Sequence, residues 1–260
     1  PPPPPSPEQT SRLHSRLMKP AILIATLALV ATAPLTIAIA TATAAETRVI
    51  ADLHKEWETA LPTRSQPLGS WLLLRGAPDT PLSGLTPLDR FEQKVGGNPD
   101  VAIWSYGNSI YNQPGFARRL DAGNRPVILV SPQKNSDQNE QKGTACIQWT
   151  SPVTGTPTLV LTLQNLGTDV KGGAGMTLVI LQYPSVAYAS AAASSAATAA
   201  ATGKEIHRIK IPNAANSPAP ATHEIPLTAA GGDRFLIRIS PVVDGYGNRL
   251  ALQARVLVTD

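Results

Sequence analysis

The sequence is poor in the residues that carry most enzyme chemistry and covalent cross-links. Cys146 is the single cysteine, so an internal disulfide is excluded and stability must come from burial. The apolar alternation around Cys146 favours a small core residue over a reactive thiol. Only four histidines occur, and no H-x-H, H-E-x-x-H or C-x-x-C arrangement accompanies them, which argues against a transition-metal site.

The chain also lacks a pronounced charge of either sign. Its 22 lysines and arginines nearly balance 18 aspartates and glutamates, and no basic run is longer than Arg118-Arg119. A nucleic-acid partner requires a basic stripe or patch, so the sequence predicts no such partner. Helical periodicity is nearly absent and no fixed-period repeat occurs, which argues against solenoids and propellers.

The N-terminal region has the composition of an export signal. Residues 20–45 carry no charge, follow the basic residues Arg12, Arg16 and Lys19, and end in an A-x-A-like sequence. We therefore expect residues 18–45 to be a signal peptide and residues 1–17 to be a disordered leader or an over-extended start. The mature chain is expected to be secreted, extracellular or periplasmic, without a transmembrane segment.

The alternative for the same uncharged run is a membrane anchor that is not cleaved, because its length could span a bilayer. Pro34 interrupts the run, and the small residues Ala42, Thr43 and Ala44 close it, so cleavage is favoured.

The remaining chain, residues 46–260, is predicted to form one β-sandwich domain. Its about 215 residues are enough to bury a core. One face of a predicted strand carries Leu159, Leu161 and Leu163, and the other face carries threonines. This alternation indicates that one face is buried and the other is exposed to solvent. Such strands need a second sheet to cover the apolar face, which predicts an antiparallel all-β sandwich. The predicted strands are Ser70–Arg75, Val101–Tyr106, Val127–Val130, Ala145–Thr150, Thr158–Leu163, Met176–Leu181, Arg234–Ser240 and Leu250–Val258.

Four segments depart from the strand pattern. Asp52–Ala60 predicts a short helix, and Leu85–Lys94 predicts another helical turn or two. Residues 188–203 are a low-complexity run of Ala, Ser and Thr without a large apolar residue, so we expect an insertion between two strands. Asn213–Thr222 is predicted to be a second loop.

Four short motifs follow one another along residues 51–260: Gln66-Pro-Leu-Gly-Ser-Trp71, Gln148-Trp-Thr-Ser-Pro-Val-Thr-Gly155, Gly172-Gly-Ala-Gly-Met176 and Ala230-Gly-Gly-Asp-Arg-Phe235. In order and spacing they resemble a family of secreted bacterial β-sandwich modules with a galactose-binding-like jelly-roll fold. Ala174 stands where that family has a turn aspartate. The resemblance implies a non-catalytic, carbohydrate-binding-like accessory module of surface proteins.

The motif residues themselves are predicted to determine the fold rather than to form a binding or catalytic site. Trp149 lies at the end of a strand, and Pro152 and Gly155 suit the turn that follows it. Asp233 follows two glycines, where its side chain can accept hydrogen bonds from nearby backbone amides.

A sugar site needs an aromatic ring for the apolar face of the sugar and planar polar groups for its hydroxyls. Two segments contain this mixture, and they predict a glycan or other cell-surface polymer as partner. Core packing is the alternative for Trp104 and Tyr106. The candidate ligand-binding residues are Trp104, Tyr106, Asn108, Tyr111 and Asn112, with Tyr246 and Asn248 as a second cluster.

Two glycine-containing loops offer oxygen ligands of the kind that calcium prefers. One contains Asp244 and Asn248, and the other contains Asn165 and Asp169. The alternative is an Asx turn, in which the side chain bonds its own loop. No other cofactor is expected.

Enzyme chemistry is the least favoured function. Gly107-Asn-Ser-Ile110 resembles an esterase nucleophile block, but the accompanying D-x-x-H motif and any G-x-S-x-G elbow are absent. Glu56/Glu58 and Asp89/Glu92 could serve a glycoside hydrolase, yet such spacing is more typical of a solvated face. The leading prediction is therefore a non-enzymatic carbohydrate-binding module. A structural or adhesive protein-interaction module is the alternative, and a secreted glycoside or ester hydrolase follows.

The export signal makes a direct prediction. N-terminal sequencing of protein recovered from a native host should start near Ala45 or Glu46, because signal peptidase cuts after the small residues. Full-length protein in the membrane fraction would instead establish an anchor.

Overall fold

The computed structural model describes residues 45–61, 63–77, 79–107, 114–120, 125–132, 144–167, 175–185, 203–213, 219–242 and 249–259. All of them belong to one compact unit, Ala44–Asp260. Among them, no helix has the length and apolar character needed to cross a bilayer. The described elements are β1 (Thr47–Asp52), α1 (Leu53–Ala60), β2 (Trp71–Gly76), β3 (Thr86–Pro87), β4 (Arg90–Gln93), β5 (Ala102–Ser105), β6 (Gly115–Leu120), β7 (Pro126–Ser131), β8 (Thr144–Thr150), β9 (Thr158–Asn165), β10 (Met176–Tyr183), β11 (Lys204–Ile211), β12 (Ala221–Pro226), β13 (Arg234–Pro241) and β14 (Leu250–Thr259), with 3-10 turns at Leu82–Gly84 and Val95–Gly97.

The strands form two antiparallel sheets. The eight-stranded sheet has the order β12-β9-β14-β7-β6-β5-β4 with β1 beside β14, and the six-stranded sheet has the order β11-β10-β13-β8-β2-β3. Strands β7 to β14 divide between them as β7-β14-β9-β12 and β8-β13-β10-β11, which is the strand order of a jelly roll. The jelly-roll sandwich expected from the sequence is therefore confirmed, and β1 to β6 extend its two sheets.

The main core lies between the inner faces of the two sheets. Leu159, Leu161 and Leu163 of β9 are buried there, as the alternation of the sequence predicts. Phe235 and Ile237 of β13 meet them from the opposite sheet in the same core. Close packing of such side chains contributes roughly 1.5–3 kcal/mol for each fully buried residue.

Three aromatic rings form a ladder across the six-stranded sheet. Trp149 of β8 is in register with Trp71 of β2 and with Phe235 of β13. The ring centroids lie 6.4 Å apart for Trp71 and Trp149, and 5.4 Å apart for Trp149 and Phe235. All three rings are buried, so the first, second and fourth sequence motifs meet in one contact. Each aromatic pair adds about 0.5–1.5 kcal/mol beyond burial.

The Glu56 carboxylate of α1 holds the first motif in place. It accepts hydrogen bonds from the Ser70 amide at 2.6 Å and from the Trp71 indole nitrogen at 3.2 Å. It also accepts the backbone amide of Asp52 at 3.1 Å, which joins the end of β1 to the start of β2. A Cβ at Gly69, where φ is +60°, would collide with this carboxylate, so the motif requires glycine there.

The Asp233 carboxylate holds the fourth motif. Its oxygens accept the backbone amides of Ser185 at 2.8 Å and Ala230 at 3.0 Å, and the side-chain amide of Gln182 at 3.0 Å. The Asp233 carbonyl accepts the Ser151 amide at 2.8 Å, which fastens this turn to the end of β8. The prediction that Asp233 is a fold determinant is thus confirmed.

A second, smaller core lies on the outer face of the six-stranded sheet. The chain between β2 and β3 places Leu82 and Leu85 there, against Leu181, Leu236 and Cys146. Cys146 is fully buried, and this burial raises the pKa of its thiol to about 12. The prediction of an apolar core cysteine is confirmed, because a thiol protonated and enclosed in this way is not a nucleophile.

The helical turn predicted over Leu85–Lys94 is wrong. These residues form β3 and β4, with Leu85 packed in the smaller core. Pro87 has no amide hydrogen to donate within a helix, and the Leu88 carbonyl instead accepts the side-chain amide of Gln66 at 2.7 Å.

Several strands are not predicted by the sequence pattern. The unpredicted strands β1, β4, β6, β11 and β12 lie at sheet edges or in the extensions of the jelly roll. β11 alternates charged residues with Ile209 and Ile211, because its outer face is solvated. The loop predicted over Asn213–Thr222 ends earlier, since β12 begins at Ala221. β10 and β11 flank the low-complexity run, which itself lies outside the described residues.

The aromatic ladder makes a quantitative prediction. Trp149→Ala should lower the free energy of unfolding by roughly 3–5 kcal/mol, because it removes the middle ring of the ladder from a packed core. Trp149→Phe, which keeps a ring between Trp71 and Phe235, should lose less. Denaturant unfolding measures both values, and a loss below about 1 kcal/mol for Trp149→Ala would contradict the buried position.

Candidate functional site

A groove lies on the outer face of the eight-stranded sheet. Its side chains alternate along β7, β9 and β14 with the buried leucines and isoleucines of the core. It is shallow and open to solvent, and its volume of about 60 Å³ is smaller than that of an enclosed small-molecule site. We call it the sheet groove; it is lined by Arg125, Val127, Thr162, Gln164, Pro220, Ala251, Leu252 and Gln253.

Antiparallel register aligns two of the polar lining residues of the sheet groove, Thr162 and Gln253, in one row across the strands. Gln253 of β14 faces Thr162 of β9, and Thr162 faces Thr222 of β12. On the other side, Val127 of β7 faces Arg119 of β6. The row therefore runs from β6 to β12 with arginine at one end and threonines at the other.

A second row beside the first is apolar apart from Gln164 and forms the floor of the groove. Ala251 of β14 faces Leu129 of β7 and Gln164 of β9, and Leu129 faces Ala117 of β6. Two of these side chains are alanines, so the floor lies lower than the rows of longer side chains beside it. The groove consequently runs across the strands rather than along them.

Hydrogen bonds hold three of the polar groups in the row. The Gln253 side-chain amide donates to the Pro126 carbonyl at 2.9 Å. The hydroxyls of Thr162 and Thr222 lie 3.1 Å apart. Side chains on strands and tied in this way lose little further entropy when a ligand binds. The lining offers planar amides, a hydroxyl and a guanidinium, but neither an aromatic ring nor a carboxylate.

Trp104 belongs to the core and not to a sugar site. Its side chain is 3% exposed, and its ring centroid lies 5.0 Å from that of Phe91 in the main core. This corrects the assignment of Trp104 as a ligand platform, because a ring enclosed by its own strands has no face for a sugar. Its neighbour Tyr106 is half-buried, and the Arg75 guanidinium lies 4.0 Å from the centroid of its ring.

The other residues proposed for the aromatic cluster lie outside the described residues. These are Asn108, Tyr111, Asn112, Tyr246 and Asn248. The structure therefore neither brings them together nor separates them. Sequence reasoning overlooked the sheet groove, although the alternating threonines and glutamine of β9 indicate a polar outer face there.

One candidate calcium ligand is described, and its polar atoms have partners. The side-chain oxygen of Asn165 accepts the Gly167 amide at 2.9 Å, and the side-chain nitrogen of Asn165 donates to the Pro212 carbonyl at 2.8 Å. This is the geometry of an Asx turn. Asp169, Asp244 and Asn248 lie outside the described ranges, and within those ranges no group of three His, Cys, Asp or Glu side chains could hold a metal ion.

The candidate catalytic carboxylates have structural partners. Glu56 accepts the hydrogen bonds that join β1 and β2, and Glu58 forms an ion pair with Arg118 of β6. Asp89 accepts the Gly107 amide at 3.1 Å, and Glu92 lies 4.0 Å from Arg90. The expectation of a solvated helix face fails for Glu56, whose carboxylate is turned toward Ser70 and Trp71. Ser109 of the esterase-like block lies outside the described residues.

Helix α1 brings His54 close to the Glu58–Arg118 ion pair. Burial lowers the pKa of His54, and the positive charge of Arg118 lowers it further. The negative charges of Glu58 and Asp52 act in the opposite direction and are the weaker effects. The neutral imidazole is therefore the form that the folded protein favours.

Comparison with known proteins finds solved structures with similar folds but identifies no family. No family model matches this chain, and no curated protein matches it. Among similar solved structures is the enzymatically active domain of a tailspike protein of bacteriophage CBA120, with 11% identity and a TM-score of 0.35, covering 76% of this chain and 20% of that one. The chain thus spans about a fifth of the tailspike chain.

Two carbohydrate-binding modules are also similar in structure. A variant of a family 29 module has 14% identity and a TM-score of 0.30, covering 54% of this chain and 74% of that one. A family 35 module from an environmental isolate has 13% identity and a TM-score of 0.28, covering 50% and 86%. At these identities the likeness concerns the fold alone, and the jelly-roll assignment rests on the strand order.

The environment of His54 predicts a pH dependence of stability. A histidine has a pKa of about 6.5 when unfolded, and the folded state lowers it, so the unfolded chain takes up the proton first. The contribution of neutral His54 is complete above about pH 6.5 and is lost as the pH falls below it. His54→Gln should therefore lose less stability between pH 8 and 5 than the wild type.

Denaturant unfolding across this pH range measures the effect. Lys55→Gln, a charge change at the next position of the same helix, should keep the wild-type dependence. Identical pH curves for the wild type and His54→Gln would show that His54 titrates alike in both states.

Proposed function

We propose that this protein is a non-enzymatic, exported module that binds carbohydrate in the sheet groove. The observation that carries the proposal is the row of glutamine, threonine and arginine side chains above an apolar floor. A sugar has polar hydroxyls at its edge and apolar C–H groups on its face, so it needs both kinds of surface at once. The groove supplies the polar groups from Gln164, Gln253 and Thr162, and a narrow strip of apolar surface from Ala251 and Val127, which are 5% and 6% exposed.

The geometry favours an extended ligand. The polar residues Gln253, Thr162 and Thr222 lie on the adjacent strands β14, β9 and β12. Neighbouring strands lie about 4.8 Å apart, so a ligand can bridge several strands. A site open to solvent leaves many sugar hydroxyls in water, so the affinity should be modest. Asp169, Asp244 and Asn248 are the residues proposed to bind calcium.

Export remains part of the proposal and rests on residues 18–45. A module that binds glycan at the cell surface or in the periplasm would meet its ligand there. The structural or adhesive alternative has less support. Val49 and Val242 are the exposed large hydrophobic side chains of the described residues, and single exposed residues of this kind are ordinary.

A glycan array followed by calorimetry, with and without calcium, tests the proposal. The double variant Gln164→Ala/Gln253→Ala should weaken binding about tenfold or more, because each amide loses hydrogen bonds to the ligand. Gln148→Ala is the matched control: it removes a glutamine from the six-stranded sheet, outside the groove, and should leave binding unchanged. Both proteins should remain folded, and the double variant should lose no more than the roughly 1–3 kcal/mol that two side-chain hydrogen bonds contribute.

The same assay separates two positions of the site. If Tyr111→Ala and Tyr246→Ala abolish binding while the glutamine variants do not, the glycan binds at the loops and the groove proposal is wrong. If no glycan binds at millimolar concentration with or without calcium, the carbohydrate function fails and a structural module takes its place.

A further inference from the structure

Two histidines on edge strands face the inside of the sandwich. His207 of β11 lies opposite Ile180 of β10, and His223 of β12 lies opposite Leu161 of β9. Ile180 and Leu161 are both buried in the main core. Directly opposite residues of an antiparallel pair share one face of the sheet, so both imidazoles lie on the inner faces. Each histidine is half-buried.

The two edge strands lie across the sandwich from each other. β11 is the last strand of the six-stranded sheet and β12 is the last strand of the eight-stranded sheet, at the same end of the jelly-roll order; we call this pair of strands the open edge. The Asn165 side-chain nitrogen of β9 donates to the Pro212 carbonyl, directly after β11, at 2.8 Å. The Gln182 side-chain nitrogen of β10 donates to the Thr228 carbonyl, shortly after β12, also at 2.8 Å. Both bonds cross between the sheets, so the two edge strands are held together near both of their ends.

The strand register places the two histidines at the same height along the open edge. Counted from the Asn165–Pro212 hydrogen bond, His223 lies opposite the fourth residue back along β9. His207 lies opposite the fourth residue beyond Met176, at which β10 starts beside the end of β11. Stacked sheets are about 10 Å apart, and side chains of the two inner faces interdigitate within that gap. The register therefore makes the two imidazoles neighbours across the open edge.

The fold itself makes no polar use of these two imidazoles. Within the described part of the chain, no hydrogen bond or ion pair involves His207 or His223. The ion pair between Arg208 and Glu205 lies on the outer face of β11, because Arg208 is opposite Val179 and not opposite a residue of the main core. Ring nitrogens without a partner in the protein remain able to bind a ligand.

We propose that His207 and His223 together bind one divalent transition-metal ion, which joins the two sheets at the open edge. Imidazole is a ligand that suits Cu²⁺, Ni²⁺ and Zn²⁺, and affinity among these ions is highest for Cu²⁺. The site needs two side chains, with water as the remaining ligands, and not the group of three that is absent from the described residues. It is independent of the carbohydrate proposal, because the sheet groove lies on the outer face of the eight-stranded sheet.

The experiment titrates the full chain with CuCl₂ and with ZnCl₂ at neutral pH in a buffer that does not chelate metals. Calorimetry should show one ion bound per chain, with Cu²⁺ bound more tightly than Zn²⁺. The ion should raise the unfolding midpoint, because only the folded chain brings the two histidines together. Electron paramagnetic resonance of the Cu²⁺ complex should show two imidazole nitrogens as ligands.

Three substitutions locate the ion. His207→Gln and His223→Gln should each weaken Cu²⁺ binding about tenfold or more, because a single imidazole loses the gain from binding through two linked ligands. His54→Gln is the matched control: it removes a histidine whose Nε2 is buried under helix α1, and it should bind Cu²⁺ as the wild type does. Should a substitution at the open edge lower the unfolding midpoint without metal, the resonance spectrum of the wild type decides by itself.

Several results would overturn the proposal. Wild-type affinity in both single variants would show that the histidines do not share an ion, and a spectrum with one nitrogen ligand would show the same. An equal loss in His54→Gln would place the ion elsewhere. Absence of Cu²⁺ binding at millimolar concentration would exclude the site. None of these results bears on carbohydrate binding in the sheet groove, which the glycan assay tests separately.

Discussion

The aromatic ladder of Trp71, Trp149 and Phe235 is the contact on which the other features of the fold depend. Side chains alternate between the two faces of a strand, so a register slip by one residue would turn a ring out of the core. The three buried rings therefore fix the register of β2, β8 and β13 together. That register places the first motif over the Glu56 carboxylate and the fourth motif beside the end of β8, where Asp233 closes the turn.

The two sheets share this core on their inner faces but differ in the residues on their outer faces. The inner faces of both sheets are occupied by apolar side chains, and the outer face of the six-stranded sheet carries a second core of leucines beneath the chain between β2 and β3. The outer face of the eight-stranded sheet carries the polar residues of β9 and β14. Because these strands are in register, residues distant in sequence, such as Arg125, Thr162 and Gln253, line one groove.

The groove differs chemically from the aromatic site that the sequence suggests. Trp104 packs in the core against Phe91, and the Arg75 guanidinium lies over one face of the Tyr106 ring. The planar groups left on the open sheet are amides and guanidinium groups. Such groups bind through hydrogen bonds, so selectivity in this groove would come from the hydroxyl groups of the ligand.

Local pattern sufficed for much of the fold. The alternating leucines of β9, the helix that begins after Asp52 and the turn at Asp233 each depend on neighbours within a few residues, and the sequence alone indicates them. It also determined that Cys146 lies in an apolar strand. The edge strand β11 could not be recognised in this way, because its charged residues face solvent and only the pairing with β10 makes it a strand.

Other features were decided by the tertiary structure alone. Glu56 and Glu58 look alike in sequence, yet one bonds the first motif and the other pairs with Arg118, because the facing strands differ. Trp104 could serve a core or a ligand until β4 placed Phe91 beside it. The sheet groove arises mainly from three strands, β7, β14 and β9, whose order in space is not their order in the chain. Sequence alternation determined which side chains leave the core, and strand pairing decided which of them meet, because hydrogen-bonded register joins residues that no local pattern connects.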